Sequence, residues 1–121
     1  MPLARATAML VALAALTGCG GAEPTAAVRG HELAIGLDEF FIAPQNVTVR
    51  PGRVTFRIAD RGRLRHQFRL WGADDAPVEV DTIFPGDEVV RTADLEPGEY
   101  RMVCTVSNHA ELGMTGRLIV R

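Results

Sequence analysis

Arg63-Leu64-Arg65-His66-Gln67-Phe68-Arg69-Leu70-Trp71 alternates apolar and polar side chains along most of its length. Successive side chains of a β-strand point to opposite faces. Leu64, His66, Phe68 and Leu70 therefore share one face of an expected strand, and Arg63, Arg65, Gln67 and Arg69 share the other. A period of two with one apolar face marks a half-buried strand. His66 belongs to the apolar set and so points toward a core. A single inward histidine is usually a hydrogen-bonded core residue. It becomes a candidate ligand when other donors arrive at the same place.

The same period runs outward in both directions. Upstream, Leu33, Ile35 and Leu37 share a face, as do Val47 and Val49. Val54, Phe56 and Ile58 share another, with Arg53, Thr55 and Arg57 opposite, and Pro51-Gly52 is a turn. Downstream, Asp87 to Ala93 reads as a strand, Leu95-Glu96-Pro97-Gly98 as a tight turn, and Glu99 to Thr105 as a strand with Tyr100, Met102 and Cys104 inward. Gly116 to Arg121 closes the chain with Leu118 and Val120 on one face. Residues 72–85, with four acids and Pro77, show no clear period; a short helix and an excursion strand both remain open. About seven to eight short strands separated by turns predict an all-β, Greek-key β-sandwich. Antiparallel pairing gives such alternation most cleanly.

The chemistry lies after the Glu99–Thr105 strand, in Cys104-Thr105-Val106-Ser107-Asn108-His109-Ala110-Glu111-Leu112-Gly113-Met114. This segment presents a thiol, an imidazole and a thioether spaced C-x4-H-x4-M, and His66 is the natural fourth donor. Two His and one Cys with a weak axial Met suit one copper ion held in both oxidation states, a type 1 site. Met114 argues against zinc, whose structural sites take Cys and His and whose catalytic sites keep a water. A Cys-His nucleophile lacks a clearly placed orienting acid and leaves Met114 unexplained. Met102 is expected to fill the core, and His31 to lie at the surface.

The first residues read as a leader. Met1 to Arg5 is weakly basic and Ala6 to Leu16 is apolar, too short to span a bilayer as a helix but suited to a secretory signal. Leu16-Thr17-Gly18-Cys19 resembles the lipobox of bacterial lipoproteins, which implies cleavage before Cys19 and a lipid on its thiol; the alternative is an ordinary signal peptide with Cys19 unmodified. The expected organisation is a signal peptide at 1–18, lipidated Cys19 with a flexible linker at 19–30, and one domain at 31–121. Lipidation leaves Cys104, the other of two cysteines, without a disulfide partner. A lone thiol in an oxidising compartment needs burial or a metal. The net charge of −2 argues against nucleic acid as a partner.

Residues 31–121 as a whole resemble a cupredoxin, the blue copper family. The resemblance rests on Pro44-x2-Val47-x-Val49-x2-Gly52, on Asp60-x-Gly62-x3-His66-x-Phe68, and on Glu96-Pro97-Gly98-x-Tyr100-x3-Cys104, followed by the ligand loop. It implies that His66 and His109 bind copper through imidazole nitrogen, Cys104 through thiolate and Met114 as a long axial donor. It also implies an apolar patch around the edge of His109, for which Pro44, Ala110 and Leu112 are candidates. Asp60, Gln67 and Ser107-Asn108 depart from common family residues and bear on the redox potential. No second Cys lies in the ligand loop, which counts against a binuclear centre. The expected function is an electron carrier cycling between Cu(II) and Cu(I) at the outer face of a bacterial membrane, not an enzyme. It would be monomeric, bind no small-molecule substrate, and meet redox partner proteins near the membrane. The alternative is copper delivery with the same ligands. Arg61, Arg63, Arg65 and Arg69 read as the solvated face of an edge strand, with a docking patch for an acidic partner as the alternative.

Overall fold

The computed structural model describes residues 31–121. The leader at 1–18, Cys19 and the linker at 19–30 lie outside them. The described chain is all β, with nine strands: β1 Glu32–Asp38, β2 Phe41–Ala43, β3 Asn46–Val49, β4 Gly52–Asp60, β5 His66–Trp71, β6 Val78–Ile83, β7 Glu88–Leu95, β8 Gly98–Val103 and β9 Thr115–Val120. They form a four-stranded sheet in the order β2-β1-β4-β7 and a five-stranded sheet in the order β3-β9-β8-β5-β6. Residues 72–85 hold β6, so the excursion is a strand. The three-residue β2 is too short for its alternation to be legible.

Alternation translates directly into packing. Leu33, Ile35 and Leu37 of β1, Val54, Phe56 and Ile58 of β4, Phe68 and Leu70 of β5, Val78 and Val80 of β6, and Leu118 and Val120 of β9 meet in one buried core. Met102 is fully buried in it and His31 is exposed, both as expected. The pairing is less uniform than alternation suggests. β1 pairs with β4, and β3 with β9, in parallel. After β2 the chain crosses to the other sheet as β3 and returns as β4, so β4 runs alongside β1 in the same direction.

Leu64 is the main departure in facing. It is 46% exposed, because β5 begins only at His66 and residues 61–65 form a loop. The arginines at 61, 63 and 65 therefore belong to a loop and not to the face of an edge strand.

Gly116 of β9 packs tightly against Gln45, the residue before β3. A Cβ there would land on the Gln45 carbonyl oxygen and lie 2.8 Å from Met102 Cε. The same carbonyl accepts the Arg117 N–H at 2.8 Å, so it is not free to retreat. Gly116→Ala is expected to cost about 1–3 kcal/mol through overpacking, read as a lower urea midpoint.

Candidate metal centre

The core-facing positions at one end of the sandwich are polar. His66 opens β5, opposite Ile83 at the end of β6, and Asp60 closes β4 beside Leu37. Both follow the inward period of their strands, and both are buried. Cys104 follows β8 and Met114 precedes β9, so the loop between them spans the same end.

Backbone hydrogen bonds close that loop tightly. Cys104 N–H donates to the Met114 carbonyl at 3.1 Å, Met114 N–H to the His109 carbonyl at 3.1 Å, and His109 N–H to the Val106 carbonyl at 3.0 Å. Ser107 takes a positive φ of 44°, in the left-handed region that turns of this kind use. The folding of the loop thus sets where its donors stand.

His66, Cys104 and His109 come together, with one donor atom of each lying within 4.8 Å of the others. Cys104 Sγ is 3.9 Å from His66 Nδ1 and 3.7 Å from His109 Nδ1. Met114 is also fully buried, at the foot of the loop. Gln67 N–H points at Cys104 Sγ from 3.4 Å. His109 is 7% exposed, the rest of the set less. Burial first, and then the neighbouring His66, hold the His109 pKa below its ordinary value; Arg65 acts in the same direction. A low pKa leaves the imidazole neutral and able to bind a metal.

Two residues of the β1–β2 turn, absent from the sequence expectations, brace both histidines. Glu39 Oε1 lies 3.0 Å from His66 Nε2 and accepts the N–H groups of Arg63 at 3.0 Å and Leu64 at 2.9 Å. The Leu64 N–H most of all, with the Arg63 N–H and His66, pulls the Glu39 pKa to about 2 against the opposing effect of desolvation. Phe40 stacks edge-on against His109, ring centroids 4.9 Å apart. Gly62 has its reason here, since a Cβ on it would occupy the Glu39 carboxylate. Asp60 Oδ1 accepts the Gly62 N–H at 2.9 Å. Asp60 Oδ2 is buried without a partner, and burial raises the pKa of this carboxyl.

Solved structures share this architecture. Reduced auracyanin from Roseiflexus castenholzii superimposes with a TM-score of 0.68 at 18% identity, covering 76% of this chain and 98% of that one. Auracyanin A from Chloroflexus aurantiacus, described as a blue copper protein, gives 0.63 at 20% identity over 74% of this chain and 98% of that one. Auracyanin B gives 0.61 at 19% identity, over 74% and 88%. The chain has the cupredoxin fold. No protein-family model matches the sequence, and no curated protein does.

The donor set gathered at this end of the cupredoxin fold fits copper. Thiolate and thioether favour Cu(I), while imidazole suits Cu(II), and buried donors exclude competing water. Of the expected surface patch, Leu112 is 51% exposed and Pro44 and Ala110 are partly buried. Leu64 and Phe84 are also exposed. Of the arginine cluster, Arg69 is tied to Glu79 and Asp81. Arg61, Arg63 and Arg65 are exposed and form no ion pair among the described residues.

Proposed function

We propose that this protein is a one-electron carrier holding a single type 1 copper ion through His66, Cys104, His109 and Met114. The observation that carries the reading is the convergence of three metal-binding side chains, from β5 and from the β8–β9 loop, within 4.8 Å in a buried position. Bound copper supplies one-electron exchange between Cu(II) and Cu(I). The protein's own part is to keep the donors fixed. Cys104 and Met114 sit on a loop closed by its own backbone, and His66 is held by β5 and by Glu39. A site that changes little between oxidation states exchanges electrons with little reorganisation. The auracyanins, one of them obtained in a dithionite-reduced form, support the same reading.

Burial of the donors supports the carrier reading over copper delivery. A donor of copper needs a site that opens to an acceptor, whereas here His66, Cys104 and Met114 are fully buried and His109 nearly so. In this reading the protein binds no small-molecule substrate and is a carrier, not an enzyme. It acts as a monomer, exported and held to a bacterial membrane by a lipid on Cys19. Its partners are redox proteins near that membrane.

The test is titration of the soluble chain from Glu23 onward with Cu(II). An intense visible band at one equivalent and reversible one-electron reduction are expected. A colourless adduct, or copper that passes readily to a small-molecule chelator on reduction, would overturn the reading.

Arg63 and Arg65 flank exposed Leu64 beside the metal end, and their charges favour an acidic partner. Reversing both to Glu is expected to slow reduction by that partner at low ionic strength. The difference should shrink as salt screens the charges, and an unchanged rate at low salt would remove them from docking.

A further inference from the structure

We infer that Glu39 is a positioning residue of the metal centre, accepting the Nε2 proton of His66 so that Nδ1 faces Cys104, and biasing bound copper toward its oxidised state. The inference rests on the copper reading above but adds a residue which the four-donor set does not contain. His66 is fully buried, and its two ring nitrogens face different groups. Nδ1 is 3.9 Å from Cys104 Sγ, and Nε2 is 3.0 Å from Glu39 Oε1. A neutral imidazole has one N–H and one lone pair. If Nδ1 offers the lone pair to a metal, the proton sits on Nε2 and donates to Glu39.

A carboxylate acceptor makes the imidazole a stronger donor than a neutral acceptor would, which favours Cu(II) over Cu(I). The backbone holds that carboxylate in place. The N–H groups of Arg63 and Leu64 converge on it, so the loop leading into His66 and the acceptor for its proton are one unit. Gly62 leaves the space that the carboxylate fills. A glutamate side chain ordinarily carries its charge at neutral pH.

The experiment measures the reduction potential of the copper-loaded full chain and of Glu39→Gln. Gln keeps an acceptor at Oε1 and loses the charge. The preference for Cu(II) over Cu(I) is expected to fall about tenfold, within the range for outer-sphere partners of metal-bound histidine, which raises the potential by about 59 mV. The visible band should persist. Glu39→Asp, which retains the charge, is expected to recover part of the shift. A band with an unchanged potential in Glu39→Gln would overturn the inference and leave the copper reading intact. A wild-type chain without a band would overturn the copper reading instead.

A second measurement needs neither copper nor a variant. Nitrogen-15 shifts of His66 in the metal-free protein at pH 8 should report the Nε2–H tautomer, with a slowly exchanging proton. An Nδ1–H tautomer, or an Nε2 proton exchanging as fast as that of exposed His31, would overturn the placement directly.

Discussion

Cys104→Ser is expected to abolish the intense visible band of the copper-loaded protein and to weaken copper binding by more than 100-fold, beyond the roughly 10–100-fold that follows loss of an outer hydrogen-bond partner. Thiolate is the one anionic donor in the proposed set, and a serine hydroxyl stays protonated at neutral pH and offers a neutral, harder oxygen. The fold should tolerate the change. Cys104 is fully buried, but the Gln67 N–H that faces its sulfur remains to donate to the hydroxyl oxygen, and the loop is closed through the backbone. Loss of colour with an unaltered urea midpoint in the metal-free protein therefore assigns the effect to the ligand. A surviving band of similar intensity would place the copper elsewhere.

The contrast between these two readouts follows how the molecule divides its information. Which way a side chain faces is a local property, so Leu33 to Leu37, Val54 to Ile58 and Phe68 with Leu70 were legible from period two. Cys104, His109 and Met114 were legible for a similar reason, since eleven consecutive residues hold all three. His66 needed only the facing of its own strand. Pairing direction is different. The parallel alignments of β1 with β4 and of β3 with β9 depend on where the chain crosses between sheets, which no period records. Leu64 continued the alternation beyond the point where Glu39 draws the Arg63 and Leu64 N–H groups out of any ladder.

Glu39 and Phe40 were beyond reach for the same physical reason. Glu39 is one of fifteen acidic residues and meets His66 across 27 positions, in a turn whose place against the metal end exists only after β1 has paired with β4. Sequence spacing identifies donors that share a loop. Residues that orient those donors from another element leave no such trace, and here they include both residues of one turn.

Phe68→Ala should produce the largest loss of stability, about 3–5 kcal/mol for truncation of a buried aromatic side chain. Phe68 is fully buried in the common core and pairs with Val80 across β5 and β6. Collapse around the lost ring is resisted by strands on both sides, since β5 lies between β8 and β6. Domains of this size are typically stable by only about 5–15 kcal/mol, so the metal-free variant is expected to unfold at a much lower urea concentration. Copper should stabilise the variant about as much as it stabilises wild type, so that the copper-loaded variant regains much of the stability of the metal-free wild-type protein. A ligand bound only by the folded state stabilises by RT ln(1 + [L]/Kd), about 4 kcal/mol at a thousandfold excess over Kd, and the proposed donors would clip β5 to the β8–β9 loop. The measurement is urea unfolding with copper and with a chelator, for wild type and variant. A loss below about 1 kcal/mol in the chelated protein would contradict the packing of β5. A variant whose own urea midpoint copper fails to raise would mean that His66, two residues from the cavity, depends on Phe68 for its place, since a strand that has shifted no longer delivers its imidazole to Cys104.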